Sequence, residues 1–336
     1  MTEIKNEIWI LADNRPGTFL QSVGLAEELG IEYKIIDLTY SIFSALPNFL
    51  LSNSLLRLSP QSQKSLQDFN YLPKIIISAG RKSAPIALYL RKKSGNSTKI
   101  IQIMNPNLNF KKFDFVILPK HDNIDPTAFP NLITTIGSLT KTNEKTIDSE
   151  KEKFSSEFKN IDQTKIALLV GGSSNKTEFD KNSAEKLAKI ASTIAKNMDA
   201  TLLILNSRRT SEEITIAIES NLNCDFKFFD WEKVKDNNPY LAIVGYSNFF
   251  IVTGDSVSMI SECASTGKPL YIFDEKNIST KKHRRFHQNL FDDNYARKLE
   301  SGVNILNNFS NKKLQETQRV ALLIRDNIEE TLSTVG

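Results

Sequence analysis

Cysteine and histidine are scarce in this chain. Its 336 residues include two cysteines, Cys224 and Cys263, and three histidines. Two cysteines cannot form a disulfide framework or a cysteine-rich metal cluster, so we expect a reducing compartment. No Asp-x-Asp motif stands at the end of an expected strand, so the sequence requires no metal ion, and it indicates no other cofactor.

Long apolar segments are missing as well. No run approaches the roughly 20 residues that span a bilayer. The early Glu3 and the short apolar run that follows do not fit a signal peptide. The longest apolar region, residues 43–58, is interrupted by Pro47 and by polar residues. We therefore expect a cytoplasmic protein, and a peripheral position at the inner face of a membrane stays open.

A strong excess of either charge is also absent. The chain has 43 lysine and arginine residues against 39 aspartate and glutamate residues, a formal net charge of +4. So small an excess does not favour general binding to nucleic acid. The length suits two domains of roughly 150 residues each, and nothing in the sequence indicates an oligomeric state.

What the chain does contain is a repeated alternation of short apolar runs and helical segments. Short β-branched runs that alternate with helices are typical of parallel α/β sheets. The expected strands are Glu7–Ala12, Tyr33–Leu38, Lys74–Ser78, Lys99–Met104, Phe113–Leu118, Leu132–Ile136, Lys165–Val170, Thr201–Leu205, Asp225–Phe229, Phe249–Val252 and Leu270–Phe273. The sequence therefore predicts an α/β fold with two Rossmann-like domains.

A polar segment separates the two halves. Residues 141–163 are rich in Lys, Glu, Asp, Ser and Asn, which is typical of an exposed helix or a linker. We predict an N-terminal domain at residues 1–140, a linker at 141–163 and a C-terminal domain at 164–310. Residues 311–336 are predicted to form a helix that can pack back on the N-terminal domain.

The clearest candidate site is the strand–turn–helix at residues 249–269. A polar turn follows the strand, Ser256 can cap the next helix, and Gly267 can end it. Free backbone N–H groups at such a helix start attract phosphate. A phosphate beside Ser256 and Ser258 would place Glu262 one helical turn deeper, within reach of a sugar hydroxyl. The alternative is a capped helix whose polar face is merely solvated.

Polar residues follow other expected strands, where open α/β sheets bind ligands. In the first half the candidates for contact with an acceptor or an anion are Asp13, Arg15, Gly17, Gln21, Gly80 and Arg81. Asp13 can instead cap the helix or pair with Arg15. The first loop lacks the G-x-G-x-x-G fingerprint, which disfavours a Rossmann-type dinucleotide site.

In the second half, backbone N–H groups of a loop of small residues can cradle phosphate. These residues are Gly171, Gly172, Ser173 and Ser174. The loop is not a P-loop, because no Gly-Lys-Ser/Thr follows. Arg208 and Arg209 can clamp a pyrophosphate or lie at the surface as solvated charges. The basic residues at 281–285 can bind phosphate or an acidic membrane surface, or form a solvated loop.

His121 and Asp122 are candidates for proton transfer. The unperturbed pKa of histidine is about 6.5, and a neighbouring carboxylate can tune it. A structural or solvated histidine is the alternative.

Several ordered segments resemble known families. The stretch TGDSVSMISECASTGKP resembles the donor-site signature of glycosyltransferase-B enzymes, such as the lipid-linked N-acetylglucosaminyl transferase of peptidoglycan synthesis. A broader resemblance runs through LADNRPGTFLQSVGLAEELG, ISAGRKSAPIALYLR, IIQIMNPN, FDFVILPKHD, LLVGGSS, NSRRTSEE, NPYLAIVGYSNFFIVTGDSVSMISECASTGKPLYIF and RRFHQNL. Together these segments resemble the elongate-mitochondria fission-factor family. Its bacterial relatives are often labelled nucleoside-diphosphate-sugar epimerases, and its plant members are implicated in recruiting a dynamin-related protein to mitochondria.

The resemblance implies two domains that face a central cleft, the glycosyltransferase-B architecture. It implies that Glu262 binds a ribose, that Ser256 and Ser258 bind phosphate, and that residues 171–173 form the glycine-rich loop of the donor domain. Residues 13–17 match the acceptor-side loop, where inverting enzymes of this architecture often keep their base.

Asp255 departs from the glycosyltransferase-B pattern. Its charge would repel a diphosphate unless Arg208, Arg209 or Lys268 neutralises it.

Two functions are consistent with these observations. In the first, the chain binds a nucleoside-diphosphate sugar and transfers or epimerises the sugar, with Asp13, His121 or Asp122 moving protons and a lipid-linked acceptor or a membrane as a further partner. In the second, the chain is a non-catalytic adaptor that binds a protein partner or a membrane surface, as the scarcity of catalytic groups suggests.

Overall fold

The structure, a computed structural model, describes residues 3–13, 15–48, 51, 54–309 and 312–333. The chain divides into two compact units. The first unit comprises residues 1–141 and 315–336, and the second comprises residues 142–314. Each unit is built on a six-stranded sheet whose paired strands are parallel.

The first unit has the strand order β2-β1-β3-β4-β5-β6. Its strands are β1 (Glu3–Ala12), β2 (Tyr33–Asp37), β3 (Tyr71–Ala79), β4 (Lys99–Ile103), β5 (Phe115–Pro119) and β6 (Leu132–Thr135). Its first helices are α1 (Pro16–Leu29), α2 (Pro60–Gln67) and α3 (Gly80–Lys93), and short 3-10 helices lie at Ile42–Ala45, Phe110–Lys112, Lys120–Asp122 and Pro126–Ala128.

The second unit has the strand order β12-β11-β10-β7-β8-β9. Its strands are β7 (Thr164–Leu169), β8 (Ala200–Leu205), β9 (Phe226–Phe229), β10 (Phe249–Thr253), β11 (Leu270–Phe273) and β12 (Arg297–Lys298). Its helices are α4 (Glu144–Lys153), α5 (Ser155–Phe158), α6 (Lys181–Asn197), α7 (Glu212–Glu219), α8 (Trp231–Val234), α9 (Tyr240–Tyr246), α10 (Val257–Ser265) and α11 (Lys281–Asp292).

The predicted α/β class with two Rossmann-like units is confirmed, and the expected strands are all present within a few residues. The two-residue β12 is too short to leave a pattern in the sequence. Both faces of each sheet are covered, as parallel sheets require. In β1, for example, Trp9 and Leu11 pack into one hydrophobic cluster, and Ile8 and Ile10 pack into another.

The last helix, α12 (Glu316–Ser333), belongs to the first unit. Its buried side chains Val320, Ala321, Ile324 and Ile328 join the cluster that contains Ile8 and Ile10. At its start, the Thr317 hydroxyl accepts from the Thr140 backbone N–H at 2.8 Å and donates to the Thr140 carbonyl at 2.9 Å. Burial of these apolar side chains and the two hydrogen bonds between Thr317 and Thr140 together hold the helix on the first unit.

Residues 141–163, expected as an exposed helix or a linker, are mostly helical and form α4 and α5. Phe158 is fully buried, with ring centroids 5.2 Å from Tyr246 and 5.5 Å from Phe229. The Tyr246 hydroxyl donates to the Lys151 carbonyl at 3.0 Å. These helices therefore form part of the second unit, and the polar composition of the segment arises because most of its side chains face solvent.

The candidates Gly80 and Arg81 do not lie in a loop after the strand, because β3 leads directly into α3 at Gly80. Gly80 has a φ of 76°, which a residue without a Cβ adopts readily. That conformation turns the chain from strand to helix without intervening loop residues. Arg81 therefore lies in the first turn of a helix.

The solvated loop that was one alternative for residues 281–285 is wrong. Residues 281–285 begin α11, whose first turn is capped by the Thr280 hydroxyl accepting from the His283 N–H at 3.2 Å. The capping box satisfies the first helical N–H groups and stabilises a helix despite the run of positive charges.

Candidate functional site

The loops after β7, β8 and β10 lie next to one another in the second unit, because β7 is flanked by β8 and β10. Helix α10 begins at this edge of the sheet. The Ser256 hydroxyl accepts from the Met259 N–H at 3.4 Å, and Gly267, with a φ of 75°, follows the last turn. The predicted cap and the predicted end of this helix are thus confirmed.

Asp255 is the centre of a buried hydrogen-bond network at this edge. Its carboxylate accepts from the Thr253 hydroxyl at 2.7 Å, the Gly172 N–H at 3.0 Å and Arg209 Nη2 at 2.6 Å. Its side chain is 1% exposed, whereas that of Arg209 is 36% exposed. Of the three cations considered as its neutralising partner, Arg209 fills that role.

The loop of small residues at 171–174 is engaged by the protein's own polar groups. The Gly171 N–H donates to the Thr253 hydroxyl at 2.8 Å, and the Gly172 N–H donates to Asp255. A Cβ at Gly171 would lie 2.1 Å from an Asp255 carboxylate oxygen, so only glycine fits. The Asp255 carboxylate thus occupies the place in this loop where the sequence predicts a phosphate.

The two serines of this loop also have internal partners. The Ser173 hydroxyl accepts from the Phe179 N–H at 3.0 Å, and the Ser174 N–H donates to the Thr177 carbonyl at 2.8 Å. Beside them lies an open cleft of about 630 Å³, whose lining includes Ser174, Lys176 and Arg284. The basic start of α11 is therefore next to the glycine loop.

The first turn of α10 has polar groups that no described residue engages. Ser258 is half-buried, and its hydroxyl forms no hydrogen bond with the described part of the chain. Arg208 is exposed and forms no ion pair there either. Because helix N-termini and nearby guanidinium groups attract anions, this turn remains suited to a phosphate.

His283 and His287 of α11 lie near the same turn. The His287 Nε2 donates to the Gly254 carbonyl at 2.9 Å, and its Nδ1 lies 3.5 Å from Asp274. Burial, together with the nearby His287, Lys282 and Arg209 charges, lowers the pKa of His283. The environment of His283 therefore favours its neutral form, and the hydrogen bond of His287 stabilises the turn that begins α10.

Glu262 is buried in the second turn of α10, and its carboxyl group has one hydrogen-bond partner among the described residues. The Tyr240 hydroxyl of α9 donates to Glu262 Oε2. Burial raises the pKa of Glu262 to about 7, and the Tyr240 hydrogen bond opposes that shift. No described residue bonds to Oε1, so the carboxyl is fixed in orientation and keeps one oxygen for a ligand.

Lys268 serves another element. Its Nζ donates to the carbonyls of Val244, Gly245 and Ser247 at 3.0, 2.7 and 2.7 Å, at the C-terminal end of α9. These carbonyls have no further helical partner, and a cation there also complements the helix dipole. Lys268 is therefore committed to holding α9, which carries Tyr240.

Replacing Lys268 with methionine should lower the free energy of unfolding by about 2 kcal/mol, because the buried carbonyls at the end of α9 lose their donor. Urea denaturation at pH 7 measures the change, with the exposed Lys233→Met as the matched control. Equal stability of the two variants would contradict this role.

The first-unit candidates are less available to a ligand than the sequence suggests. Asp13 accepts from the Arg15 N–H at 3.0 Å and from Arg15 Nε at 2.7 Å, and it also pairs with Nη2. Asp13 is therefore paired with Arg15, which was one of the alternatives to ligand contact. Gln21 Nε2 donates to the Gly17 carbonyl at 2.8 Å within α1.

His121 is buried, and its Nε2 lies 3.9 Å from Asp122. The strands β3 and β4 lie between β1 and β5. Because neighbouring strands are about 4.8 Å apart, the loops that carry Asp13 and His121 start about 14 Å apart. The two residues therefore do not meet at one reacting atom in the first unit.

Tyr240, Thr253 and His287 are parts of this site that the sequence reasoning missed. The strand end and the helix start around Thr253 could have identified it as a turn residue that bonds to Asp255. Tyr240 and His287 lie 22 and 33 residues from their partners, and a single sequence carries no signal for such pairs.

No group of three or more histidine, cysteine, aspartate or glutamate side chains suited to a metal ion occurs among the described residues. Within the same residues, no helix combines the length and the apolarity needed to span a bilayer.

Comparisons with known proteins agree with this fold. A solved UDP-GlcNAc 2-epimerase from Neisseria meningitidis, bound to UDP-GlcNAc, superposes with a TM-score of 0.53 and 13% identity. The match covers 96% of this chain and 100% of that one. At this identity the likeness shows the fold alone, that of glycosyltransferase-B proteins.

Sequence relatives are closer. An uncharacterized protein of Rickettsia prowazekii is 32% identical over 95% of this chain and 97% of its own length. The mitochondrial fission protein ELM1 of Arabidopsis thaliana is 24% identical over 75% of this chain and 63% of its own length. The family model described as mitochondrial fission ELM1 matches residues 16–328. The chain therefore belongs to the mitochondrial fission ELM1 family.

Proposed function

We propose that the second unit binds a nucleoside-diphosphate sugar at the start of α10. The diphosphate lies against the first turn of this helix, beside Ser256 and Ser258, with Arg208 and the basic start of α11 as counter-charges. Glu262 Oε1 accepts a hydrogen bond from a ribose hydroxyl. The observation that carries the proposal is Glu262 itself, a buried carboxyl that is held on one oxygen and open on the other.

The position of Asp255 supports this placement of the diphosphate. The Asp255 carboxylate accepts from the Gly172 N–H and is neutralised by Arg209. We therefore expect the ligand phosphate at residues 256–258, next to this loop and not within it. The negative charge of Asp255 is then balanced within the protein, and it does not repel the ligand as an unpaired carboxylate would.

Transfer or epimerisation of the sugar is the chemistry we propose for this site. Solved epimerases with this fold bind UDP-GlcNAc or UDP, and we propose a nucleotide sugar as the substrate on that ground. Asp13, His121 and Asp122 stay the candidates for proton transfer. Asp13 would first have to leave Arg15, and His121 would have to be exposed, before either could act on a substrate.

Binding of UDP, UDP-GlcNAc and other nucleotides by the wild type and by Glu262→Ala tests the site. A charged hydrogen bond contributes about 1.5–3 kcal/mol, so we expect Glu262→Ala to weaken binding by about 10- to 100-fold. Isothermal titration measures the affinity, and a ligand at 100 times its Kd should add about 2.7 kcal/mol to the stability of the protein.

Two control variants sharpen this test. The exposed Glu219→Ala should bind as the wild type does. Tyr240→Phe keeps the ring and releases Glu262 from its fixed orientation, so it should weaken binding less than Glu262→Ala does. Unchanged affinity of a well-folded Glu262→Ala variant for every bound nucleotide would refute the site.

A non-catalytic adaptor is the second candidate function. It is favoured by the family and by the engagement of Asp13 and the burial of His121, which leave few groups for proton transfer. An adaptor would bind a protein partner or a membrane without turnover. Sedimentation with anionic vesicles, comparing the wild type with Arg284→Glu and Arg285→Glu, tests the membrane version, which requires binding that falls with both substitutions and with salt.

A further inference from the structure

A buried guanidinium without an acidic partner lies in the first unit. Arg57 is 0% exposed, and its Nη2 donates to the Leu46 carbonyl at 3.0 Å. Its Nε and Nη1 form no hydrogen bond with any described residue. Buried charges in proteins are paired, because an unpaired one loses its hydration without compensation. Arg57 therefore has the donors for an anion that the described chain does not supply.

A second arginine lies close to Arg57. Burial, and then the charge of Arg81, lowers the pKa of Arg57. Arg81 lies in the first turn of α3, at the positive end of the helix dipole, and no described carboxylate pairs with it. Two neighbouring cations repel one another, and a shared anion between them removes that repulsion.

Two neutral side chains near these arginines also have unsatisfied polar atoms. The Tyr40 hydroxyl and Asn48 Oδ1 are buried without a hydrogen-bond partner among the described residues. Burial raises the pKa of Tyr40, so it keeps its proton and can donate. Asn48 Nδ2 donates to the Arg81 carbonyl at 2.7 Å. Asn48 Oδ1 is an acceptor and cannot bond to a phosphate oxygen, so we call the three donor residues Tyr40, Arg57 and Arg81 the Arg57 cluster.

The acidic residue that influences Tyr40 is engaged elsewhere. Asp13 acts electrostatically on Tyr40, but its oxygens accept three hydrogen bonds from Arg15. The Lys82 ammonium lies 4.9 Å from the centre of the Tyr40 ring and adds a further positive charge. The balance around the cluster is therefore positive.

Exposed apolar side chains lie on the same two segments as Tyr40 and Arg57. These two segments pair with each other. Tyr40 and Leu58 form an isolated antiparallel β-bridge, and the Ser41 N–H donates to the Arg57 carbonyl at 2.8 Å. Ile42 is 86% exposed and Leu56 is 58% exposed. Phe43 and Leu46 are exposed as well. Neighbouring exposed side chains of this size mark a surface that contacts an apolar ligand.

We propose that the Arg57 cluster binds the phosphate head of an amphiphile, whose apolar chain lies on Ile42, Phe43, Leu46 and Leu56. A phosphate group fits two guanidinium groups better than a carboxylate does, because it presents more acceptor oxygens. The Tyr40 hydroxyl supplies a third donor. The proposal concerns the first unit alone and does not depend on nucleotide binding by the second.

Octyl phosphate below its micelle concentration is the probe, with inorganic phosphate and octyl glucoside as the matched headgroup-only and chain-only ligands. Isothermal titration with the full chain should give at least tenfold tighter binding for octyl phosphate than for either of them. Arg81→Gln should weaken octyl phosphate binding at least tenfold. Leu56→Ser should weaken octyl phosphate binding and leave inorganic phosphate binding unchanged.

Controls separate this site from general charge and from misfolding. Lys64→Gln removes an exposed charge of α2 in the same unit and should bind octyl phosphate as the wild type does. Arg57→Gln should abolish the binding of octyl phosphate. If the Arg57→Gln variant does not fold, the affinity of Arg81→Gln, at a half-buried position, tests the proposal. Equal binding of octyl phosphate and octyl glucoside, or full binding by a folded Arg81→Gln variant, would overturn the proposal. So would octyl phosphate that binds no better than inorganic phosphate.

Discussion

Replacing Asp255 with alanine is expected to lower the free energy of unfolding by about 3–5 kcal/mol. The substitution leaves Arg209, the Gly172 N–H and the Thr253 hydroxyl without their common acceptor. Breaking a buried ion pair by removing one partner has a cost of this size. Urea denaturation of the wild type and of Asp255→Ala at pH 7 measures the difference.

A double-mutant cycle tests whether Asp255 acts through Arg209. Arg209→Ala alone leaves the Asp255 carboxylate buried without its cation, so it should also destabilise the protein. The decrease in unfolding free energy of the double variant should be smaller than the sum of the two single decreases, because the effects of substituting residues in direct contact are not additive. The exposed Asp148→Ala should change stability little. Additive losses for Asp255 and Arg209 would show that the pair is not a unit.

The stability of the wild type should fall with rising pH between about 4.5 and 8, relative to Glu262→Gln. The pKa of Glu262 is about 7 in the folded state against 4.5 for an unburied carboxyl. The folded state therefore holds the proton more tightly than the unfolded state does. This stabilisation is fully present below pH 4.5 and is lost as the pH rises through 7. A shift of this size corresponds to about 3 kcal/mol.

Urea denaturation of both proteins at pH 4.5, 6, 7 and 8 measures this effect, because all other titrating groups are common to the two. The difference in unfolding free energy should grow by about 3 kcal/mol in favour of Glu262→Gln and should flatten above pH 8. Glu219→Gln, at an exposed position, should follow the wild type at every pH. A difference that stays constant from pH 4.5 to 8 would show that Glu262 does not titrate in this range.

The parts of the fold that the sequence predicts well are those with local causes. The strand at 249–252, the cap at Ser256 and the end at Gly267 all occur where the residue types require them. Each depends on backbone preferences of one or two residues or on an apolar run of the right length. The α/β class follows from the repetition of such units.

The parts that the sequence predicts poorly depend on tertiary packing. The polar segment of α4 was expected as an exposed helix or a linker, and its packing on α9 was not predicted. Helix α11 carries consecutive positive charges and reads as a loop, yet the Thr280 cap and the buried Phe286 and His287 stabilise it. The composition of a segment gives its number of charges, but it does not show which face of the segment is buried.

The candidate site shows the same division. The need for a cation beside Asp255 is visible in the sequence, because the charge of the carboxylate is uncompensated there. Which cation meets it is not visible, since Arg209 lies 46 residues away and Lys268 is instead bound to three carbonyls. Arg81 of the Arg57 cluster was a candidate for anion contact from the sequence, whereas the buried Arg57 and the Tyr40 hydroxyl were not, because a single sequence does not show which arginine or which tyrosine hydroxyl is buried.

The return of α12 to the first unit sets an order of events during synthesis. The second unit, residues 142–314, has all its strands and helices once residue 314 has emerged from the ribosome. The first unit must wait for Val320, Ala321, Ile324 and Ile328, which complete its core. Domains usually fold in the order of synthesis, but here the later unit can finish first. Until α12 has been synthesised, the apolar side chains around Ile8 and Ile10 are not covered by this helix. During this interval the nascent chain presents apolar surface that can aggregate or bind chaperones.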